Sequence, residues 1–267
     1  MIALETGSGR PLIALHGFGV DHRIMLPLEQ MTDGTPWRRI YIDLPWTEAA
    51  AATATASSTR EVATALLEEI DGHLGDEPFA VIGNSFGGML ARHVAHERRQ
   101  RVLGVATLAG VVEAEHAART VPERTVLWAD PHVLSRAGAD RDAFTEVSVI
   151  QDAASLDAFR RYVLPGLRGA DATVMDRIAG DYSLDALPEN AHPEPFTAPA
   201  LHLYGRQDDV VGFEDGLALR DHYPRGSFVV VDGAGHNVHL ERPGLTGAAV
   251  RDWLDRMDLE AMTKPAA

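Results

Sequence analysis

Between residues 11 and 110 four short apolar runs recur: "PLIALHG" (11–17), "RRIYIDLP" (38–45), "FAVIGNS" (79–85) and "RVLGVATLAG" (101–110). Each is closed by glycine, proline or a polar residue. A strand with one wet face alternates apolar and polar positions, whereas a strand covered on both faces reads as a continuous apolar run. Helical patterns lie between the runs. Ser58 and Glu61 form a capping box, and Val62, Leu66 and Ile70, with Ala63, Leu67 and Leu74, make one apolar stripe. A second helix is predicted after Ser85, with Met89, Leu90, Val94 and Ala95 toward the sheet. The rhythm returns near the C-terminus, with strands at 199–205 and 227–233 and a helical segment from Leu217 to His222 between them. The last helix begins at Pro243 and carries Leu245, Ala249, Trp253 and Met257 at fourfold spacing. Alternating β and α elements predict an α/β fold, a mostly parallel, doubly wound sheet with helices on both faces.

From about Val112 to Pro195 the rhythm breaks, leaving helical patterns and no clear strand. "DAFRRYVLPGL" and "ATVMDRI" are short amphipathic pieces, and "PENAHPEPFTAP" is a Pro-rich return to the sheet. The expected organisation is a core of residues 1–111 and 196–267, with 112–195 a helical cap, or lid, over one edge. Trp128, Phe144, Phe159, Tyr162 and Phe196 are expected mostly to pack the insertion together. The Ala/Thr-rich run "TEAAAATATASST" is expected to be a mobile loop.

Composition narrows the chemistry. With 267 residues, 45% of them hydrophobic, the chain can build one large domain. The longest apolar stretch, Val102 to Val112, is too short to cross a bilayer. No basic segment followed by a long apolar run opens the chain, so a soluble, cytoplasmic protein is expected, with no membrane partner. There is no cysteine, which excludes disulfides, thiolate metal sites and a cysteine nucleophile. A net charge of −15 argues against a nucleic-acid partner. His93 and His96 have a spacing that could hold a metal, but no third ligand is near, and surface histidines are the expectation. A small-molecule substrate, with no metal and no cofactor, is therefore the partner to expect.

The stretch "AVIGNSFGGML" (80–90) contains Gly83–Asn84–Ser85–Phe86–Gly87, a G-x-S-x-G pattern that follows a predicted strand and opens a predicted helix. Such a turn forces its serine into a strained, displayed position, and the hydroxyl needs a nearby base to react. Partners belong at the carboxyl ends of neighbouring strands. Asp208 and Asp209 follow the strand at 199–205; His236 and His239 follow the strand at 227–233. Asp208 is favoured by its register after Gly205, and His236 by the small, flexible "GAGH" that carries it. Glu113, just past the strand at 101–110, is a third acid. "HGFG" (16–19) offers backbone N–H groups to an oxyanion, with His16 expected to stiffen that loop. Asp21 and His22 follow closely and could line the pocket, but a solvated loop is the expectation.

Together "HGFG", "GNSFGG", "GRQD" and "GAGHNVHLERP" resemble the α/β-hydrolase superfamily, and nearly every segment outside the insertion takes part. "GNSFGG" is similar to the elbow of carbon–carbon bond hydrolases that cleave ring-fission products, and of many esterases. The resemblance implies an α/β-hydrolase fold, Ser85 as nucleophile, Asp208 as acid and His236 as base. It also implies an oxyanion hole from the backbone N–H groups of Phe18 and Phe86. Pocket candidates are His16, Gly17, Trp128, Phe159, Tyr162 and Val210. Two departures stand out. "DLPWTEAA" replaces the glycines many members carry after the Asp, and the chain starts too late for a complete first β-hairpin, so an edge strand is expected to be missing. Three functions follow: a serine hydrolase of a small, largely apolar carboxylic ester; a carbon–carbon bond hydrolase with a cationic patch from Arg160, Arg161 or Arg168; or a non-catalytic binding protein on the same fold.

Overall fold

The structure, a computed structural model, describes residues 1–48, 50 and 55–263. Residues 49 and 51–54 of the expected mobile loop lie outside the described residues. Among the described residues nine strands occur in chain order: β1 (Ile2–Thr6), β2 (Arg10–Leu15), β3 (Trp37–Ile42), β4 (Phe79–Asn84), β5 (Val102–Leu108), β6 (Trp128–Ala129), β7 (Ile150–Gln151), β8 (Ala200–Gly205) and β9 (Gly226–Val231). Seven of them form one sheet in the order β1-β3-β2-β4-β5-β8-β9. All neighbours in it run parallel except β1, which pairs antiparallel with β3. Six of these strands coincide, to within a few residues, with the six apolar runs. The seventh, β1, escapes that criterion because it is a half-buried edge. β1 and β2 are adjacent in the chain yet form no hairpin, since β3 lies between them.

The helices are α1 (Leu28–Met31), α2 (Thr59–Leu74), α3 (Phe86–Glu97), α4 (Pro131–Ala137), α5 (Arg141–Val147), α6 (Ala153–Ala158), α7 (Leu164–Gly169), α8 (Ala172–Ala179), α9 (Pro188–Ala191), α10 (Glu214–Leu217), α11 (Val238–Glu241) and α12 (Pro243–Thr263). Side chains alternate across the strands. Ile13, Leu15, Ile40, Ile42, Val81 and Val105 pack with the apolar faces of α2 and α3. Leu12, Ala14, Tyr41, Ala80, Ile82 and Leu203 pack on the other face with residues of α1 and α12. Covering both faces explains the continuous apolar runs.

Local chemistry fixes the helix ends. Ser58 Oγ accepts from the Glu61 N–H at 3.2 Å and caps α2. The reciprocal half of the box falls one residue early, because the Glu61 carboxylate accepts from the Ser57 N–H at 2.7 Å. In α12 fourfold spacing misplaces the first residue: Leu245 is 60% exposed. A helix turns every 3.6 residues, so a strict step of four drifts off one face. The buried stripe is Thr246, Val250, Trp253, Leu254 and Met257.

Between Val112 and Pro195 lie α4 to α9, with a π-helical stretch at Phe159–Val163. The segment also holds β6 and β7, paired in parallel, where no strand was expected. At two residues each they are too short to leave an apolar run. Phe144 and Phe159, ring centroids 5.6 Å apart, share a core with Val133, Leu156 and Val163 that is continuous with the α12 face of the sheet.

Candidate active site

Ser85 sits between β4 and α3 at φ +53°, ψ −117°, a left-handed conformation that costs a non-glycine residue about 1–3 kcal/mol. Its neighbours explain how the turn can be so tight. A side chain at Gly83 would overlap the Gly87 carbonyl, and one at Gly87 would overlap the carbonyls of Leu15 and His16. The Ser85 N–H donates to Leu108 O at 3.0 Å, and its carbonyl accepts from Val111 N–H at 3.0 Å. Ala109, between those two anchors, is the other described non-glycine residue with positive φ, at +48°. Ser85 Oγ bonds to no described residue.

The 16–19 loop lies directly against this elbow. A Cβ on Gly17 would stand 3.2 Å from Ser85 Cβ. The rings of Phe18, Trp46, Phe86 and Tyr182 form one cluster, with centroids 4.8–5.6 Å apart among the contacting pairs. This cluster fixes the two residues named as oxyanion donors. Among the described residues the N–H groups of Phe18 and Phe86 have no acceptor. That of Phe86 opens α3, where the helix dipole favours negative charge. His16 is fully buried and holds the loop from behind, not as a pocket wall. Its Nδ1–H donates to Gly17 O at 2.8 Å and its Nε2 accepts from Leu44 N–H at 2.9 Å. Burial pushes its pKa down, so the ring stays neutral and able to accept.

Across the sheet, His236 follows β9 and Asp208 follows β8. The His236 Nδ1–H donates to Asp208 Oδ2 at 3.0 Å. Asp208 is 0% exposed, and its other oxygen accepts from Val210 and Val211 N–H at 2.9 and 3.1 Å. The imidazole is thereby set with Nε2 carrying the lone pair. Asp209 faces Arg124, 3.6 Å away, and Glu113 accepts from the N–H of Glu115 in its own loop. His239 is buried, donating Nε2–H to Ile24 O at 2.9 Å, and burial pushes its pKa down to about 4. Neither Ser85 Oγ nor His236 Nε2 is hydrogen-bonded to a described residue. Bonds of this kind are often long without substrate.

A model of the alpha/beta hydrolase fold family matches residues 50–243. The chain belongs to the α/β-hydrolase fold family. A solved α/β superfamily hydrolase from Oenococcus oeni PSU-1 is similar at 27% identity and TM-score 0.86, covering 96% of this chain and 95% of that one. An esterase from Exiguobacterium antarcticum shares the fold at 15% identity and TM-score 0.71, with 94% of each chain covered. The biotin biosynthesis bifunctional protein BioHC of Cellvibrio japonicus (strain Ueda107) is 26% identical over 93% of this chain. The chain spans about half, 48%, of that relative's length.

Elsewhere in this α/β-hydrolase the expected pocket residues do not gather as one wall. Phe159 is buried in the core, and Trp128 on β6 is 60% exposed. Tyr162 lines a cavity of about 360 Å³ that also touches His239, Leu240 and Glu241. Val210 stays close to the site through its bond to Asp208, while its carbonyl accepts from Arg119 at 3.0 Å. Arg160 and Arg168 are both tied to Asp140 at 2.8 Å, and Arg161 lies over the Tyr162 ring. Asp21 and His22 are not on a solvated loop. Asp21 is buried, and both line a cleft of about 470 Å³ with Asp43, whose carboxylate lies 3.1 Å from His22 Nδ1.

His96 is likewise no surface residue. It is 3% exposed, donates Nδ1–H to Arg92 O at 2.7 Å and accepts His222 Nε2–H at 2.8 Å. A histidine on the inward face of α3 is covered by whatever follows β8, which spacing within the helix cannot reveal. Among the described residues no group of three or more His, Asp or Glu is arranged to hold a metal. No helix among them is long and apolar enough to cross a membrane. Two side chains that hold the site escaped the sequence reading. Gln207 accepts from Gly233 and Ala234 N–H at 2.9 and 3.2 Å, and Glu241 accepts from Gly235 N–H at 2.6 Å. Both stand inside the quoted motifs "GRQD" and "GAGHNVHLERP", the one signal that could have found them.

Proposed function

We propose that this protein is a serine hydrolase that cleaves a small, largely apolar carboxylic ester through an acyl-enzyme. The observation that carries the reading is the bond from His236 Nδ1 to a fully buried Asp208, in a fold where Ser85 is held at positive φ on the strand-to-helix turn. His236 takes the Ser85 proton as Oγ attacks the ester carbonyl and returns it to the leaving alcohol. Asp208 holds the tautomer and stabilises the imidazolium. The N–H groups of Phe18 and Phe86 bind the developing oxyanion, each worth about 10²–10³ in rate. Water then repeats the sequence on the acyl-enzyme. No cofactor enters this scheme. Residues 112–195 act as a cap over the core of 1–111 and 196–267, excluding bulk water and setting specificity.

Intact mass after fluorophosphonate treatment tests the proposal. Wild type is expected to gain one adduct and to hydrolyse p-nitrophenyl esters. Ser85→Ala and His236→Ala, folded by circular dichroism, should do neither. Unlabelled but folded wild type would sink the reading and favour a non-catalytic binding protein on the same fold.

A further inference from the structure

The ring of His236 is oriented by Asp208, but the backbone that carries it is a glycine-rich loop with few side chains of its own. Gln207 grips one side of that loop, at Gly233 and Ala234. The other side is gripped by Glu241, the last residue of α11. Its Oε2 accepts from the Gly235 N–H, immediately before His236, at 2.6 Å. Its Oε1 reaches the insertion, accepting from Val149 N–H at 2.7 Å and Ile150 N–H at 3.3 Å where β7 begins. The three donors are backbone groups on two separate segments, and one carboxylate serves both. The contact is close: a side chain at Gly235 would meet Val149 Cγ2 at 2.7 Å.

Among the described residues no cation is hydrogen-bonded to this carboxylate. Arg242, next in the chain, donates its Nε–H to Gly233 O at 3.0 Å, and Arg124 from the insertion pairs with Asp209. Burial outweighs the three N–H bonds and the nearby charge of Arg124, and pushes the Glu241 carboxyl above its ordinary pKa. A buried carboxylate of this kind costs folding free energy that an apolar residue would not. Packing alone does not account for it; the bonds it makes do.

We propose that Glu241 is a positioning residue that locks the His236 loop to the insertion at Val149–Ile150, so that the placement of the catalytic base depends on the seating of the insertion. This rests on the proposed role of His236. Glu241 touches neither substrate nor reacting atoms; it acts through the Gly235 peptide. Because a rate falls steeply when a base is misplaced by about an ångström, loss of the clamp costs turnover more than binding.

Two variants divide the clamp. In Glu241→Gln one amide oxygen can still serve one segment, while the NH₂ group opposes the other segment's N–H. In Glu241→Ala both grips are lost. The rate of fluorophosphonate labelling and the kcat for p-nitrophenyl butyrate are expected to fall about tenfold in Glu241→Gln and about 100-fold in Glu241→Ala, with KM within about twofold. Glutamine is nearly isosteric, so this variant keeps the test alive if the alanine variant does not fold. An activity-independent reading comes from the Gly235 amide. Its proton should lie far downfield in wild type, and it should shift upfield and exchange faster in both variants, while core amides of β4 and β5 stay protected. Folded variants labelling at the wild-type rate with an unmoved Gly235 amide would overturn the proposal. So would a loss of activity that merely tracks the unfolded fraction. Failure of the serine-hydrolase reading looks different: wild type itself stays unlabelled, and the clamp then has no base to position.

Discussion

Two adjacent aspartates follow β8, and Asp208 is the one bonded to His236. Asp208 spends one oxygen on His236 and the other on two backbone N–H groups, with no access to water. Asp209 has a partly exposed cation for a neighbour, a pairing worth at most about 1 kcal/mol. Replacing Asp208 with Asn keeps the shape but presents an NH₂ group to His236 Nδ1. The ring is then forced into the tautomer whose Nε2 bears the proton and cannot accept one from Ser85. Under the proposed function, kcat should fall about 10⁴-fold in Asp208→Asn. Asp209→Asn should stay within about twofold. Steady-state kinetics of the two variants side by side, on one p-nitrophenyl ester, separate them; comparable losses would mean that the acid has been misassigned.

At the scale of elements, the turn from β4 into α3 is built by absence of side chains. Gly83→Ala drives a methyl into the Gly87 carbonyl, backbone against backbone, and should destabilise by about 1–3 kcal/mol. Gly72, within α2, has nothing within 4 Å of where a Cβ would stand, so Gly72→Ala should stabilise by about 0.5–1 kcal/mol. Urea unfolding of both variants checks the pair, and a sign reversal in either would contradict the packing described. The same contrast explains what could be read from the chain. Strands covered on both faces leave apolar runs, and the elbow leaves its glycines, so six strands, α2, α3 and the loops bearing Ser85, Asp208 and His236 were legible. The half-buried β1 and the two-residue β6 and β7 leave no run. Burial of His96 depends on His222, 126 residues away, and Glu241's grip on Val149 on a contact across 92. Nothing local records such meetings, which is also why the candidate pocket residues scattered.

For the molecule as a whole, closing these layers buries ionisable groups, and that couples stability to pH. Glu189 of α9 is enclosed with Arg92 of α3 at 2.7 Å and Tyr223 at 2.5 Å, and despite its burial these partners hold its pKa at about 2. Its contribution is complete above the ordinary value of 4.5 and is lost only as pH falls from there toward 2. Histidines act earlier. Burial lowers His96 and His239 to about 4 and His202 to about 3, against an ordinary value of 6.5. Below pH 6.5 the unfolded chain takes up protons on all three while the folded protein does not. Stability must therefore fall as pH drops from 6.5 toward 4, each ring contributing up to about 1.4 kcal/mol per pH unit. Glu189 adds little in the upper part of this window, so from pH 6.5 to about 5 the histidines dominate. Glu241 opposes them, because its raised carboxyl takes up its proton earlier in the folded protein than in the unfolded chain. Urea midpoints measured from pH 8 to 5 should be level above about 7 and decline below it. A level profile down to pH 5 would mean that the folded protein protonates these rings as readily as the unfolded chain, and that their enclosure by α3, α11 and β8 is looser than the structure describes.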